Sequence, residues 1–360
     1  MLKVLLVEDS PIARSILQRM IDSDPDMKVV GTARTGQDAM ELLPKLKPNI
    51  ICTDLYMPRM DGLELTQQVM AKQPTPILVI SAGVGAEDKK NVFSLLEAGA
   101  VDVFPKPGAG QIEDYEAQKD ILLQKIRVLA GVKVFTKKYR GLQLPGKKTE
   151  TLTMPPAGNR VPPRLGKPIE LVAIGASTGG PQAFQAVLES IPPTFPVPIL
   201  CVQHISQGFL DGFIRWLDQS CAISIQIAKT GEKPQAGKVY FPPDRQHLRI
   251  DSQGRFICLE GPLVDSHCPS VTVLFQSVAK KYGPASIGIL LTGMGRDGAS
   301  GLLELKQKGG YTIAQDEASS IVFGMPQEAI KLGAAKVVLP LTEIAGHLKG
   351  VIAKSQAAIA

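Results

Sequence analysis

The sequence predicts an α/β chain of two doubly wound parallel-sheet domains, an N-terminal (βα)5 unit and a larger C-terminal one. Three observations carry this. Short apolar runs alternate with helical periodicities over residues 1–126, and the alternation resumes at 169. The chain has 360 residues, more than the ~250–300 at which single cores stop growing. A basic, proline-rich stretch, 127–168, separates the two parts and reads as an extended linker.

In the first part, strands are expected over Lys3–Val7, Lys28–Ala33, Ile50–Asp54, Ile77–Ser81 and Val101–Pro105. Helices are expected over Pro11–Ser23, Gly36–Leu46, Asp61–Lys72, Glu87–Ala98 and Tyr115–Leu129. In the second, the strands are Glu170–Ile174, Pro198–Gln203, Lys238–Phe241, Ser286–Thr292, Thr312–Gln315 and Lys336–Leu339. Gly254 within His247–Leu259 reads as a hairpin on the edge of that sheet. No internal repeat is present.

Charge narrows the function classes. The net charge of +6 is concentrated in the linker. Residues 1–126 carry 14 basic and 18 acidic side chains, 127–168 carry 10 and 1, and 169–360 carry 16 and 15. Neither folded part is basic, which argues against nucleic acid as a partner. No apolar run reaches the ~18–20 residues of a membrane span. The chain enters a strand pattern at Lys3 with no signal peptide. The five cysteines never form a CxxC pair, and Cys52 and Cys201 lie inside strand runs. Free thiols in the cytoplasm are the expectation.

In the N-terminal part, polar residues gather at strand ends. Glu8 and Asp9 follow the first strand, Asp54 ends the third, Ser81 ends the fourth and Lys106 follows the fifth. The carboxyl ends of neighbouring parallel strands form one crevice. Three carboxylates there repel unless a cation joins them, and Mg²⁺ has the matching taste for oxygen ligands. That ion and Lys106 would neutralise a phosphoryl group on Asp54.

The C-terminal part opens on Ile174-Gly-Ala-Ser177-Thr-Gly-Gly-Pro181. An apolar strand ends in a tight corner, and Ser177 stands with an exposed hydroxyl at a helix N-terminus, where free N–H groups favour negative charge. The corner suits a nucleophile or a phosphate. A serine nucleophile needs a base and an orienting carboxylate. His204, at the end of Pro198–Gln203, is the best-placed of four histidines. His247 reads as structural, His267 as a loop residue near Pro269, and His347 as surface. Asp297, in Gly293-Met-Gly-Arg-Asp-Gly298, stands at a third strand end.

These residues resemble two families joined in one. Leu6-Val7-Glu8-Asp9-Ser10, Asp54 through Gly62, Ser81-Ala82 and Lys106-Pro107 resemble the receiver domain of two-component response regulators. That resemblance implies Asp54 as phospho-acceptor, Glu8, Asp9 and Asp54 as metal ligands, and Ser81 and Lys106 as phosphate contacts. It also implies a cis bond before Pro107. The family's aromatic switch position holds Val103 here, with Phe104 beside it.

Ile174–Pro181, Gln203-His204-Ile205, Pro269-Ser-Val271 with Leu274-Phe275, and Thr292 through Ala299 make the whole chain resemble the chemotaxis-type protein-glutamate methylesterases. The resemblance implies Ser177 as nucleophile, His204 as base, Asp297 as orienter, and the backbone N–H groups of Met294 and Thr178 for the oxyanion. It implies methylated chemoreceptors as substrate, a chemotaxis-type histidine kinase as phosphodonor, and no cofactor in the esterase site. The domains would be 1–126 receiver, 127–168 linker and 169–360 catalytic. Related enzymes also deamidate glutamine, and the resemblance implies that the resting receiver covers the catalytic mouth. Cys268 and Thr272 depart from the pattern, which has arginine and aspartate there. The runner-up is a receiver joined to a nucleotide-binding or non-catalytic output domain. Against nucleotide, the glycines read GxxxGG, and Gln203-His204 stands where a ribose-binding acid belongs.

Overall fold

The computed structural model describes residues 1–81, 86–107, 112–134 and 167–357. Most of the stretch read as a linker therefore lies outside the described residues. The N-terminal unit runs β1 (Leu2–Val7), α1 (Pro11–Asp22), β2 (Met27–Ala33), α2 (Gly36–Leu46), β3 (Ile50–Thr53), α3 (Gly62–Lys72), β4 (Ile77–Ser81), α4 (Ala86–Ala98), β5 (Asp102–Pro105) and α5 (Ile112–Leu129). Ser10, Thr35 and Asp61 start α1, α2 and α3 by accepting the N–H three residues on. The five strands pair in parallel in the order β2-β1-β3-β4-β5. Every residue of β3 and β4 is buried, as a sheet covered on both faces requires.

The C-terminal unit contains β6 (Leu171–Ala176), α6 (Gly180–Leu188), β7 (Ile199–Gln203), α7 (Leu210–Ser220), β8 (Ser224–Ile227), β9 (Lys238–Phe241), β10 (His247–Ile250) and β11 (Phe256–Leu259). It continues with α8 (Val271–Lys281), β12 (Ser286–Leu290), α9 (Ala299–Gln307), β13 (Tyr311–Gln315), α10 (Met325–Lys331), β14 (Val337–Leu339) and α11 (Leu341–Ala357). Seven parallel strands form one sheet, β14-β13-β12-β6-β7-β9-β8. The chain leaves β6 toward β7 on one side and leaves β12 toward β13 on the other. The order therefore reverses between β6 and β12, where α/β sheets open a crevice at their carboxyl ends.

Three expectations are corrected. The strand β8 was not foreseen; its four residues alternate polar and apolar at the sheet margin. The hairpin forms, as β10 against β11, but as a separate two-stranded sheet. Leu248, Ile250 and Phe256 bury against α8 residues such as Val278, so the hairpin serves that helix and not the large sheet's edge. Among the described residues the cis bond is Cys268–Pro269. The Lys106–Pro107 bond is trans. The Lys106 N–H continues the strand ladder to Ser81 O at 2.9 Å, and its side chain reaches the crevice from there.

The two units share an interface. Phe93 of α4 stacks on Trp216 and packs beside Phe213 of α7, with ring centroids 5.6 and 5.7 Å apart. The Trp216 indole donates to Glu97 at 2.7 Å. The Gln182 amide donates to Ala100 O at 3.0 Å. Aromatic pairs of this kind contribute about 0.5–1.5 kcal/mol each beyond their buried area.

Candidate active site

Ser177 follows β6 directly and lies at the order reversal. Its N–H donates to Thr292 O at 3.0 Å, and Gln203 Nε2 donates to its carbonyl at 2.8 Å. Both bonds clamp the corner between neighbouring strands. Gly179, with φ +75°, precedes α6, and no side chain caps that helix. Gly293 lets the loop after β12 come close: a Cβ there would sit 2.8 Å from Ser177 Cβ and 2.2 Å from Met325 Sδ. Contrary to expectation, Ser177 is buried. It lies in the wall of a cavity of about 800 Å³ that Val103, Ile121 and Lys125 of the receiver side also line.

His204 follows β7, and its side chain is 7% exposed. Its Nε2 meets Asp297 Oδ2 at 2.8 Å. Its Nδ1 is buried with no protein partner, so no hydrogen bond joins it to Ser177 in this state. Asp297, in the loop between β12 and α9, is fully buried against the first turn of α8. Oδ1 accepts from Ser270 Oγ at 2.8 Å and Thr272 N at 2.9 Å, and Oδ2 accepts from Val271 N at 2.7 Å as well as from His204. Burial alone would raise its pKa. The bonds from His204, Thr272 and Ser270 outweigh burial and hold the carboxyl well below the usual carboxylate range. The Asp297 carboxylate thus holds Nε2, and Nδ1 makes no hydrogen bond among the described residues.

His267, Asp102 and Lys125 were given no role at this site by the sequence. His267 stacks on His204 with centroids 3.7 Å apart and planes 8° from parallel. Thr178 Oγ1 donates across the interface to Asp102 Oδ2 at 3.1 Å, and Asp102 also pairs with Lys125. Each reaches the site by tertiary packing, for which periodicity carries no signal. The backbone N–H groups of Thr178 and Met294 have no protein acceptor among the described residues. His247 is structural: its Nδ1 accepts from Ser270 N at 3.2 Å, and its Nε2 meets Pro262 O at 3.0 Å. His347 bonds Tyr311 Oη at 2.8 Å instead of standing free at the surface.

The two departures have structural partners. Cys268 Sγ donates to Arg245 O at 3.1 Å. Thr272 Oγ1 accepts from Gly298 N at 2.8 Å and lies 3.3 Å from Asp265 Oδ2, so a loop carboxylate sits beside it.

In the N-terminal crevice, Lys106 Nζ lies 2.6 Å from Asp54 Oδ2 and 3.0 Å from the Glu8 carboxylate. Burial raises the pKa of both carboxyls, against the pull of Lys106. Burial also opposes the Lys106 charge, but Asp54 and Glu8 more than offset it and raise its pKa. One carboxylate oxygen each from Glu8, Asp9 and Asp54 lie within 4.8 Å of one another. Ser81 is buried at the end of β4. Val103 faces the interdomain cavity, whereas Phe104 is buried in the receiver core. The five cysteines are free, and burial pushes the Cys52 thiol up to about 12.

Comparison with known proteins agrees with this geometry. Residues 172–348 match the CheB methylesterase family, and residues 4–114 match the response regulator receiver domain. A protein-glutamate methylesterase/protein-glutamine glutaminase of Nitrosospira multiformis is 40% identical over 98% of this chain and 98% of its own. One from Hahella chejuensis is 42% identical over 96% of this chain and 97% of its own. One from Methanospirillum hungatei is 40% identical over 99% of this chain and all of its own. A buried serine and aspartate with a part-buried histidine at one order reversal, an N-terminal unit with the receiver's acidic crevice, and kinship along the full length converge: the chain belongs to the protein-glutamate methylesterase/protein-glutamine glutaminase family, with its receiver domain at the N-terminus.

Proposed function

We propose that this chain hydrolyses glutamate γ-methyl esters on chemoreceptors, releasing methanol and glutamate, deamidates receptor glutamines, and is controlled by phosphorylation of Asp54. The observation that carries the reading is the His204–Asp297 pair with Nδ1 free, on the same wall as Ser177. Ser177 Oγ attacks the ester carbonyl as its proton passes to His204 Nδ1. The oxyanion takes hydrogen bonds from the Thr178 and Met294 N–H groups. His204 returns the proton to the departing methoxide, leaving an acyl-Ser177 ester. Water, deprotonated by His204, then cleaves that ester and restores Ser177. With glutamine the leaving group is ammonia. Asp297 remains ionised throughout and steadies the imidazolium.

The receiver unit is residues 1–126 and the catalytic unit 169–360; of the intervening 127–168 read as linker, the end of α5 through Leu129 packs in the receiver core. Glu8, Asp9 and Asp54 fit a hard divalent cation, since all three offer oxygen. They would hold Mg²⁺, which supplies charge neutralisation for a phosphoryl group. Ser81 and Lys106 would bind that group's oxygens. The phosphodonor is a chemotaxis-type histidine kinase. The chain works in the cytoplasm on the receptors' helical portions; no described helix is long and apolar enough to cross a membrane.

Methanol release from methylated receptor, measured for wild type and Ser177→Ala, tests the reading. Loss of release in the variant is expected; a Ser177→Ala protein within tenfold of wild type would overturn the assignment of the nucleophile.

A further inference from the structure

We propose that His267 is a positioning residue for the esterase reaction: its ring is a fixed wall that keeps the His204 imidazole aimed along Asp297. The inference rests on the esterase reading above. His204 is tied at one end only, through Nε2 to Asp297 Oδ2. Its Nδ1 has no protein partner, so hydrogen bonding leaves the ring free to swing about that single bond. A ring lying 3.7 Å away and 8° from parallel removes this freedom.

The wall is itself rigid. Val264 and His267 exchange backbone bonds of 3.1 and 3.0 Å across a tight turn. Asp265 and Ser266 inside it take positive φ, +48° and +67°. The Asp265 carboxylate ties that turn to Arg296 Nε at 3.0 Å and to Thr272 Oγ1 at 3.3 Å. Thr272 N in turn donates to Asp297 Oδ1 at 2.9 Å. The turn carrying His267 and the carboxylate holding His204 are thus one connected piece.

The tautomer is fixed as well. His267 Nδ1 lies 2.6 Å from the Asp265 carbonyl and donates to it. Burial, together with neighbouring His204, lowers the His267 pKa to about 4, so the ring is neutral where the enzyme works. An imidazolium facing a neutral ring is attracted to it, whereas two imidazolium rings would repel. The arrangement is poorly made for a metal. Ring lone pairs lie in the ring planes, and near-parallel stacked rings with centroids 3.7 Å apart do not aim them at one ion at the ~2 Å of a metal–nitrogen bond.

The test uses full-length protein and methanol release, with kcat and KM measured separately. His267→Ala is expected to lower kcat about tenfold or more with KM little changed. His267→Asn keeps a donor for the Asp265 carbonyl but lacks the ring, and is expected to be as slow. His267→Phe restores the face and is expected to recover most of the lost kcat. The His204 Nε2–H resonance should stay sharp in His267→Phe and broaden in His267→Asn. A wild-type kcat in His267→Asn would overturn the proposal. So would a His267→Phe as slow as His267→Asn, since a ring nitrogen would then be acting. Wild-type protein inert toward methyl esters would instead defeat the underlying esterase reading.

Discussion

Asp297 receives four hydrogen bonds with no exposure to solvent, and its replacement separates orienting from proton transfer. Asn at this position faces N–H groups with an NH₂, so Asp297→Asn should destabilise the fold by about 3 kcal/mol or more, read as a fall in Tm. Its turnover should drop less than that of His204→Ala, because His204 moves the proton. Ser177→Ala or His204→Ala should cost on the order of 10⁶ in turnover, as in other serine triads. His267 has a stability signature too. Its pKa is about 4 when folded, against an ordinary 6.5. His204, Asp297, Lys125 and the Asp265 backbone face it. Between these values the unfolded chain binds more protons, so stability falls as pH drops from 6.5 toward 4, by about 3 kcal/mol at most. His267→Phe should flatten that stretch of the Tm-versus-pH curve; an unchanged slope would assign the decline to other groups. That Ser177, His204 and Asp297 come to neighbouring corners was legible in the sequence because each follows an apolar strand run, directly or through a short glycine-rich loop. His267 was not, because its placement depends on two positive-φ residues in a turn.

At the scale of elements, the strand order brings β6, β7 and β12 side by side, and with them three corners widely separated in sequence. Gly293 is the tightest joint there. A methyl group at this position meets Met325 and Ser177, so Gly293→Ala should cost roughly 1–3 kcal/mol and displace the nucleophile. Circular dichroism melts and methanol release on one preparation would check both effects; wild-type values in each would contradict the close approach. The buried strands were readable as apolar runs with errors of a residue or two. The four-residue β8 and the seat of the hairpin were not, because a short margin strand has little pattern and a hairpin's docking face is a tertiary choice. The trans Lys106–Pro107 bond corrects an expectation that came from resemblance rather than from the residues themselves.

Across the whole molecule, the receiver meets the catalytic unit through Phe93, Trp216 and the Asp102–Thr178 bond, next to the nucleophile. Asp54 and Lys106 lie on the same sheet as Asp102, and Lys106 is four residues beyond it. A phosphoryl group on Asp54 would compete for Lys106 and shift β5, weakening the contact with Thr178. Two-domain organisation was readable from length and charge. The contact between the domains was not, since Asp102 and Lys125 carry no marker of their partner. Asp102→Ala should raise the rate of unphosphorylated enzyme, within the 5- to 150-fold that couplings of ~1–3 kcal/mol allow. Gating of the Ser177 esterase by Asp54 ties the two units together. Its most direct test is methanol release from methylated receptor by the full-length protein, with and without a small-molecule phosphodonor and Mg²⁺, beside Asp54→Ala. The account predicts a faster rate with phosphodonor for wild type and a basal rate for Asp54→Ala under both conditions. Equal rates for wild type in the two conditions would contradict it.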